Sequence, residues 1–235
     1  MSSRGEAWLL SPHCDDIAYS MAGRLLGGAE RGQGIRLLTI FSQSRFAPYA
    51  QRLNTQAQIS RWRQAEEARF CAALHLAHEC LDLAEAPLRG YPDVDSLFVD
   101  DGAVPEDPVL ERLEQRLRQR LEQARPARVY APLGIGGHVD HLLTRRAAQR
   151  VFADVCPLLF YEDLPYAGEL SADALAQQLT RTTQGLRPLL TPLADWLPEK
   201  LRHLAGYASQ VAEKDLASVA THAHLIGGER VWTLG

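Results

Sequence analysis

The chain has 235 residues, of which 46% are hydrophobic and 23% charged, a usage that is typical of a globular protein and too apolar for a disordered one. Its 25 Lys and Arg against 29 Asp and Glu give a formal net charge of −4, which excludes the overall positive field that draws proteins to nucleic acid or anionic membranes. The length predicts one domain over residues 1–235.

No apolar run approaches the roughly 20 residues that cross a bilayer. The amino terminus passes from a short apolar segment directly to charged residues, which is not typical of a leader. The four cysteines are scattered and form no CxxC pair, so we expect reduced thiols. We therefore expect a cytoplasmic protein with no membrane span and no nucleic-acid partner, and the sequence carries no signal of its oligomeric state.

Strands and helices alternate in the first half of the predicted structure, which is read from hydrophobic periodicity and from Gly and Pro. The predicted elements are a strand at residues 7–10, a helix at 17–26, a strand at 35–41, an amphipathic helix at 55–74 and a weaker strand at 79–83. Residues 84–107 are rich in Pro, Gly and Asp. Such a long irregular segment is expected to border a functional site.

The second half continues the alternation. The predicted elements are a helix at residues 108–124, a strand at 128–131, a glycine-rich loop at 133–141, a helix at 144–152, a strand at 157–161, helices at 171–184, 195–204 and 207–219, and a last strand at 230–234. This order predicts an α/β fold with a mostly parallel sheet covered on both faces. Ligands are then expected at the carboxyl ends of the strands.

Two polar clusters directly follow predicted strands. HCDD at residues 13–16 follows the first strand, and HVDH at residues 138–141 follows the strand at 128–131. Because the carboxyl ends of parallel strands meet at one edge of a sheet, we expect the two clusters to converge. A His, an Asp and a second His suit Zn²⁺ or another divalent transition metal and leave a position open for water. Taken singly, the first cluster would equally fit a helix cap and the second a surface turn.

The clusters hold more acid-base groups than a structural metal site needs. If His13, Asp16 and His141 bind the metal, Asp15 and His138 remain beside it without a ligand role. Asp15 suits a general base that takes a proton from water activated by the metal. His138 could protonate a leaving amine or stabilise a tetrahedral oxyanion. A metal-activated water with an adjacent base and an adjacent acid or oxyanion partner predicts hydrolysis of an amide.

Four segments also match motifs of a known family. They are SPHCDD at residues 11–16 with Gly23 after it, GHVDH at 137–141, YEDLPY at 161–166, and Lys200 followed by YASQ at 207–210. Together they resemble the PIG-L/LmbE family of metal-dependent N-deacetylases, which hydrolyse N-acetyl groups on amino sugars and related conjugates.

The resemblance implies a Rossmann-like three-layer α/β/α fold. It also implies a zinc ion held by His13, Asp16 and His141, with Asp15 as the base and His138 as the acid or oxyanion partner. The expected function is removal of an acetyl or other acyl group from an amine on a small sugar-like molecule. Two alternatives stay open: a metal-dependent hydrolase of another amide, ester or phosphoester bond, and a non-catalytic relative that only binds a metal or ligand.

Three further acidic residues are candidates for the site. Asp140 is counted with Asp15 and His138 in the predicted catalytic group, where it could orient one of the metal-binding imidazoles. Glu162 and Asp163 follow the strand at 157–161. A pocket-lining role and a plain polar strand exit are equally compatible with their position.

The helix at 55–74 carries several charged side chains. For Arg61, Arg63, Glu66 and Glu67, a solvated ion-pair face is favoured over a substrate clamp, and Arg63 is the best candidate for the latter.

Other potential ligands are weaker. Cys14 stands where the family commonly has proline, which places a thiol beside the predicted metal as a candidate fourth ligand. His222 and His224 could bind an adventitious metal, but a surface role is favoured. The glycine-rich segments form neither a GxxxxGK[ST] nor a GxGxxG loop, so no nucleotide cofactor is expected. Substrate specificity is expected to reside in residues 43–54, 84–107 and 162–195.

Overall fold

The computed structural model describes residues 5–30, 32–99 and 106–234. These residues form a seven-stranded sheet. The strands are β1 (Ala7–Ser11), β2 (Ile35–Thr39), β3 (Ala77–Cys80), β4 (Arg128–Pro132), β5 (Leu158–Tyr161), β6 (Leu186–Pro192) and β7 (Gly228–Leu234). Their order across the sheet is β3-β2-β1-β4-β5-β7-β6. The strands from β3 to β5 pair in parallel, whereas β7 is antiparallel to both β5 and β6. The predicted α/β fold with a mostly parallel sheet is confirmed.

Helices cover both faces of the sheet. They are α1 (Asp16–Leu26), α2 (Gln56–Ala73), α3 (Val94–Leu97), α4 (Val109–Gln123), α5 (Val139–Phe152), α6 (Tyr166–Glu169), α7 (Ala172–Thr182), α8 (Leu197–Leu204) and α9 (Glu213–Ile226). Helices α1, α8 and α9 pack together beside β7, and α4 packs on α5 beside β4. All five residues of β1 are buried between these layers. No helix of the described residues is long and apolar enough to cross a membrane.

The strand β6 is absent from the sequence prediction. It lies at the edge of the sheet and contains Pro188 and Pro192, which cannot donate hydrogen bonds to a neighbouring strand. Four consecutive residues, 187–190, are exposed. The strand therefore lacks the apolar alternation by which strands are recognised.

Two helices have different bounds from those predicted. Helix α5 begins at Val139 rather than near 144, because the His138 side chain caps it and accepts a hydrogen bond from the backbone N–H of Asp140. Helix α9 lies later in the chain than the predicted helix at 207–219. The early start of α5 matters for function, because it puts the whole second cluster on a rigid helical turn.

A buried carboxylate fixes the carboxyl-terminal half of α1. Glu229 of β7 accepts hydrogen bonds from the backbone N–H groups of Gly23 at 3.0 Å and Arg24 at 2.5 Å, and pairs with Lys200 Nζ at 2.6 Å. Lys200 is 0% exposed and Glu229 4%. A side chain at Gly23 would crowd this region, since its Cβ would clash with Leu193 Cδ2 and would lie 3.1 Å from the Glu229 carboxylate. The contact ties α1 to both α8 and β7.

We expect Glu229→Gln to lower the free energy of unfolding by about 3–5 kcal/mol, because it leaves the buried Lys200 ammonium without a counter-charge. The double variant Lys200→Met/Glu229→Gln should recover part of that loss, since no unpaired charge remains. Urea unfolding followed by circular dichroism measures both. Losses that simply add in the double variant would contradict the ion-pair argument.

Candidate active site

The two clusters that follow β1 and β4 meet at the carboxyl edge of the sheet. His13 lies in the turn between β1 and α1, Asp16 is the first residue of α1, and His141 lies in the first turn of α5. Their ligand atoms all lie within 4.8 Å of one another. Asp16 Oδ2 is 3.4 Å from His13 Nδ1, and Asp16 Oδ1 is 3.4 Å from His141 Nε2. The predicted convergence therefore holds, because β1 and β4 are neighbours.

A carboxylate behind each imidazole fixes its orientation. His13 Nε2 lies 3.0 Å from Asp140 Oδ2, and His141 Nδ1 lies 2.7 Å from Asp163 Oδ1. Each ring therefore presents its other nitrogen to Asp16. Among the described residues, His141 Nε2 is buried and has no hydrogen-bond partner. Two oriented imidazole nitrogens and a carboxylate, one nitrogen being unsatisfied, fit a divalent transition metal.

A second group with metal-ligand spacing, formed by His13, His138 and Asp140, fits a metal less well. The Asp140 carboxylate already contacts His13, accepts the N–H of Ala86 at 2.9 Å and lies 2.8 Å from Arg89 Nη2. His138 Nδ1 accepts the N–H of Asp140 at 3.2 Å. Asp140 is 0% exposed and does not line the pocket, so it lies behind His13 rather than among groups that can reach substrate.

Electrostatics at the first group favour a bound cation. Burial lowers the pKa of His13, but its hydrogen bonds with Asp140 and Asp16 outweigh burial and raise the pKa to about 10. Burial raises the pKa of Asp16, but the charge of His141 and the hydrogen bond with His13 lower it to about 2. The carboxylates thus stay negatively charged, and they favour a positive charge in the space between the two imidazole rings. A divalent cation can supply that charge while both imidazoles act as neutral ligands.

Asp15 lies beside this group but outside it. Its carboxylate is 3.5 Å from Arg63 Nη2, and Arg63 Nη1 is 3.2 Å from Glu85. Burial raises the pKa of Asp15 to about 7, against the opposing charge of Arg63. A carboxyl group with a pKa near neutrality can both accept and return a proton at neutral pH. Asp15 therefore has the environment of a general base.

His138 is held as a neutral imidazole. Its Nδ1 accepts a hydrogen bond from the Asp140 backbone, so the ring proton belongs on Nε2. Phe98 and Tyr166 flank the ring with centroids 5.4 and 6.3 Å away. Burial, reinforced by the charge of His13, lowers the pKa of His138 to about 3. His138 lines the pocket, where it suits a hydrogen-bond donor to a developing oxyanion.

His13, Asp15, Asp16 and His138 line a pocket of about 470 Å³, whereas His141 is fully buried and does not line it. Its wall also contains the aromatic side chains Tyr19, Phe46, Tyr49, Phe98 and Tyr166, and the charged side chains Lys214 and Asp215. Phe46 is 56% and Tyr49 47% exposed. The pocket thus has an aromatic rim and a polar floor.

The segment at residues 84–107 borders the pocket, as predicted. It contains a 3₁₀ turn at Ala86–Leu88 and the short helix α3, and Glu85 is one of its residues that line the pocket. Residues 100–105 lie outside the described part of the chain. The sequence did not predict a role for Glu85 or Arg89. The only signal for these two residues was the length of the segment that contains them.

The prediction of a solvated face on α2 is wrong for three of its four residues. Arg63, Glu66 and Glu67 are buried, at 4%, 2% and 0% exposure, whereas Arg61 is exposed. The apolar side chain of Trp62, by contrast, is 47% exposed. The helix buries Ile59, Phe70 and Cys71 together with the charged residues, and Arg63 pairs with Asp15 and Glu85.

The structure separates Asp163 from Glu162. Asp163 holds His141, whereas Glu162 accepts hydrogen bonds from Trp232 and Arg230 and contacts His222 Nε2 at 3.0 Å. Neither acidic residue lines the pocket. The prediction of a surface role for His222 is wrong, because its side chain is 2% exposed. His224 is exposed as expected.

Cys14 does not join the ligand groups. Its side chain is 2% exposed, it lies in neither group with metal-ligand spacing, and it does not line the pocket. Burial, with the nearby Glu67 charge, raises the pKa of its thiol well above the usual value. A protonated thiol is a poor metal ligand, so the candidate fourth ligand finds no support.

Comparison with known proteins gives consistent matches. Residues 8–152 match the family described as PIG-L, GlcNAc-PI de-N-acetylase, and this range includes both clusters. A 2'-N-acetylparomamine deacetylase from Streptomyces fradiae is 37% identical over 236 residues, which cover 99% of this chain and 82% of that protein. A 2'-N-acetylparomamine deacetylase from Niallia circulans is 28% identical over 192 residues, which cover 67% of this chain and 66% of that protein.

Solved structures share the fold. A deacetylase–teicoplanin complex from the teicoplanin biosynthesis pathway matches with a TM-score of 0.75 and 23% identity, covering 97% of both chains. This match confirms the Rossmann-like three-layer architecture, with the sheet between two layers of helices.

We expect Asp163→Asn to weaken zinc binding about 10–100-fold. The Asn amide oxygen can still accept the N–H groups of Gly134 and Ile135, which bond to Asp163 Oδ2. Its NH₂ group, however, can only donate a hydrogen bond to His141 Nδ1, so the ring would carry its proton on Nε2 and lose the lone pair that binds the metal. Competition with a chromophoric chelator measures the affinity. The adjacent Glu162→Gln is the control and should retain wild-type affinity; equal affinities of both variants would contradict the assignment of Asp163.

Proposed function

This chain belongs to the PIG-L family of GlcNAc-PI de-N-acetylases, and from that membership we propose that it is a metal-dependent hydrolase that removes the N-acetyl group from an amino sugar. The resemblance seen in the sequence motifs is thereby confirmed at the level of the family. We propose Zn²⁺ as the metal, with His13, Asp16 and His141 as its ligands.

One observation carries the proposal. Two imidazoles held by buried carboxylates converge on Asp16, while Asp15 and the neutral His138 line the same pocket without belonging to that ligand set. A purely structural metal site needs neither of the last two groups. A ligand set with an adjacent proton acceptor and an adjacent hydrogen-bond donor is instead the arrangement that amide hydrolysis requires.

Each side chain has a defined role in the proposed reaction. His13, Asp16 and His141 would hold a divalent ion, which would supply Lewis acidity towards the attacking water and the amide carbonyl. Asp15 accepts a proton from the attacking water as the new C–O bond forms. His138 donates a hydrogen bond from its Nε2–H to the carbonyl oxygen, which gains negative charge in the tetrahedral intermediate. When the C–N bond breaks, Asp15 returns its proton to the leaving nitrogen, which gives an amine and acetate.

The pocket supports a sugar-like substrate. Its volume of about 470 Å³ is in the range of small-molecule sites. The aromatic rim can pack against the apolar face of a sugar ring, and the Asp215 carboxylate on the wall can accept hydrogen bonds from hydroxyl or ammonium groups. The two relatives described above are named for deacetylation of 2'-N-acetylparomamine. We propose N-acetylated amino sugars of this kind as the substrate class.

We also propose a cytoplasmic location and a single domain over residues 1–235. The four cysteines are free, which suits a reducing compartment. One hydrophobic cluster extends from β1 to β7, as in a single domain.

Zinc-loaded protein should release amine and acetate in equal amounts from 2'-N-acetylparomamine or N-acetylglucosamine, and no phosphate from p-nitrophenyl phosphate. Elemental analysis of the purified protein, fluorescamine detection of amine, and assays of released acetate and phosphate test this. Phosphate release without amine release would replace the proposal by phosphoester hydrolysis. A metal-loaded protein that is inert towards all three compounds would indicate a non-catalytic relative.

Asp15→Asn should retain the metal and lower kcat by about 10²–10⁴-fold, because the amide cannot accept a proton from water. His141→Ala is the contrasting variant and should lower the zinc content itself. Steady-state kinetics and elemental analysis of both proteins separate the two roles. Near-wild-type turnover by a folded Asp15→Asn protein would remove Asp15 from its role as the base.

A further inference from the structure

Arg89 connects the segment at 84–107 to the buried carboxylate behind His13. Its Nη2 lies 2.8 Å from Asp140 Oδ1 and 3.0 Å from Asp107 Oδ2. Its Nε donates to Asp107 at 3.0 Å, and its Nη1 donates to the carbonyl oxygen of Ala84 at 2.6 Å. The guanidinium group therefore bridges two carboxylates and also binds the backbone of its own segment at Ala84.

The position of Asp140 depends on this contact. Asp140 is 0% exposed, so water cannot stabilise its charge. Its Oδ2 contacts His13 and the N–H of Ala86, while its Oδ1 lies at ion-pair distance from Arg89. With that cation removed, the carboxylate would lose its partner at Oδ1 and could rotate about its side-chain bonds. It would then hold the His13 ring less firmly.

The guanidinium is itself fixed from several sides. It lies 4.8 Å above the ring of Phe41, whose centroid is 6.4 Å from that of His13. Asp107, which holds its other edge, also accepts the N–H of Val109 in the first turn of α4 at 2.9 Å. Arg89 thus links a helix end, the pocket-lining loop and the carboxylate behind His13 in one chain of contacts.

We propose that Arg89 is a positioning residue for the metal site: it holds Asp140 against His13. This inference rests on the proposed function, because it takes His13 as a metal ligand. It assigns a role to a side chain that lines no part of the pocket and touches neither substrate nor metal.

The role differs from that of an ordinary structural arginine. A structural ion pair affects the stability of the fold, whether or not a metal is bound. A positioning residue affects how well His13 is prearranged for the metal, so its loss weakens metal affinity more than it changes the apo protein. Charge and geometry both matter, because the guanidinium reaches Asp107, the Ala84 carbonyl and Asp140 through three separate nitrogens. A lysine presents all its N–H groups from one nitrogen and cannot hold the three partners in the same geometry.

The test uses apo protein of wild type, Arg89→Lys and Arg89→Met. Chelator competition at fixed pH measures the zinc affinity of each protein, and thermal unfolding measures the melting temperature of each. Arg89→Met should bind zinc about tenfold or more weakly, and Arg89→Lys should lie between it and wild type. The control is Arg120→Met, which removes a tertiary ion pair with Glu79 of β3 away from the site. It should lower the melting temperature and leave zinc affinity unchanged.

A wild-type zinc affinity in either Arg89 variant would overturn the inference. If Arg89→Met does not fold, the affinity of Arg89→Lys decides the question. An affinity loss of the same size in Arg120→Met would also overturn it, because the effect would then be general destabilisation. If wild-type protein binds no divalent metal, the proposed function fails and the inference fails with it. If wild type binds zinc and releases amine while the Arg89 variants bind equally well, only the inference fails.

Discussion

The two pairs in which a buried carboxylate holds an imidazole are the constraint on which the site depends. His13 with Asp140 and His141 with Asp163 each leave one ring nitrogen directed at Asp16. A histidine without such a partner can rotate about its side-chain bonds and can carry its proton on either nitrogen. The paired carboxylate fixes the orientation of each ring, so the two imidazoles and Asp16 lie close enough to share one ion.

That arrangement requires a polar interior, which the fold accommodates by pairing its charges. On α2, Arg63 lies between Asp15 and Glu85, while Glu66 accepts hydrogen bonds from the backbone and side chain of Ser209. Each of these groups would be costly to bury alone. Together they explain why the inward face of α2 is charged, and they place the cation of Arg63 beside Asp15, the proposed general base.

The antiparallel end of the sheet supports the catalytic edge from a distance. Strand β7 supplies Glu229, which binds the backbone of α1 and pairs with Lys200. Because α1 begins with Asp16, the helix that carries one proposed metal ligand is anchored near its other end by a strand about 200 residues later in the chain.

The sequence by itself determined the α/β class, the positions of most elements and the six residues His13, Asp15, Asp16, His138, Asp140 and His141, because strand ends and short motifs are local signals. Its motifs also identified the family. Only the tertiary structure decided which carboxylate stands behind which imidazole, that α2 turns Arg63 inward, and that Arg89 reaches Asp140. Those contacts join segments far apart in the chain, and periodicity reports which residues share a face of an element but not which polar partners that face will meet.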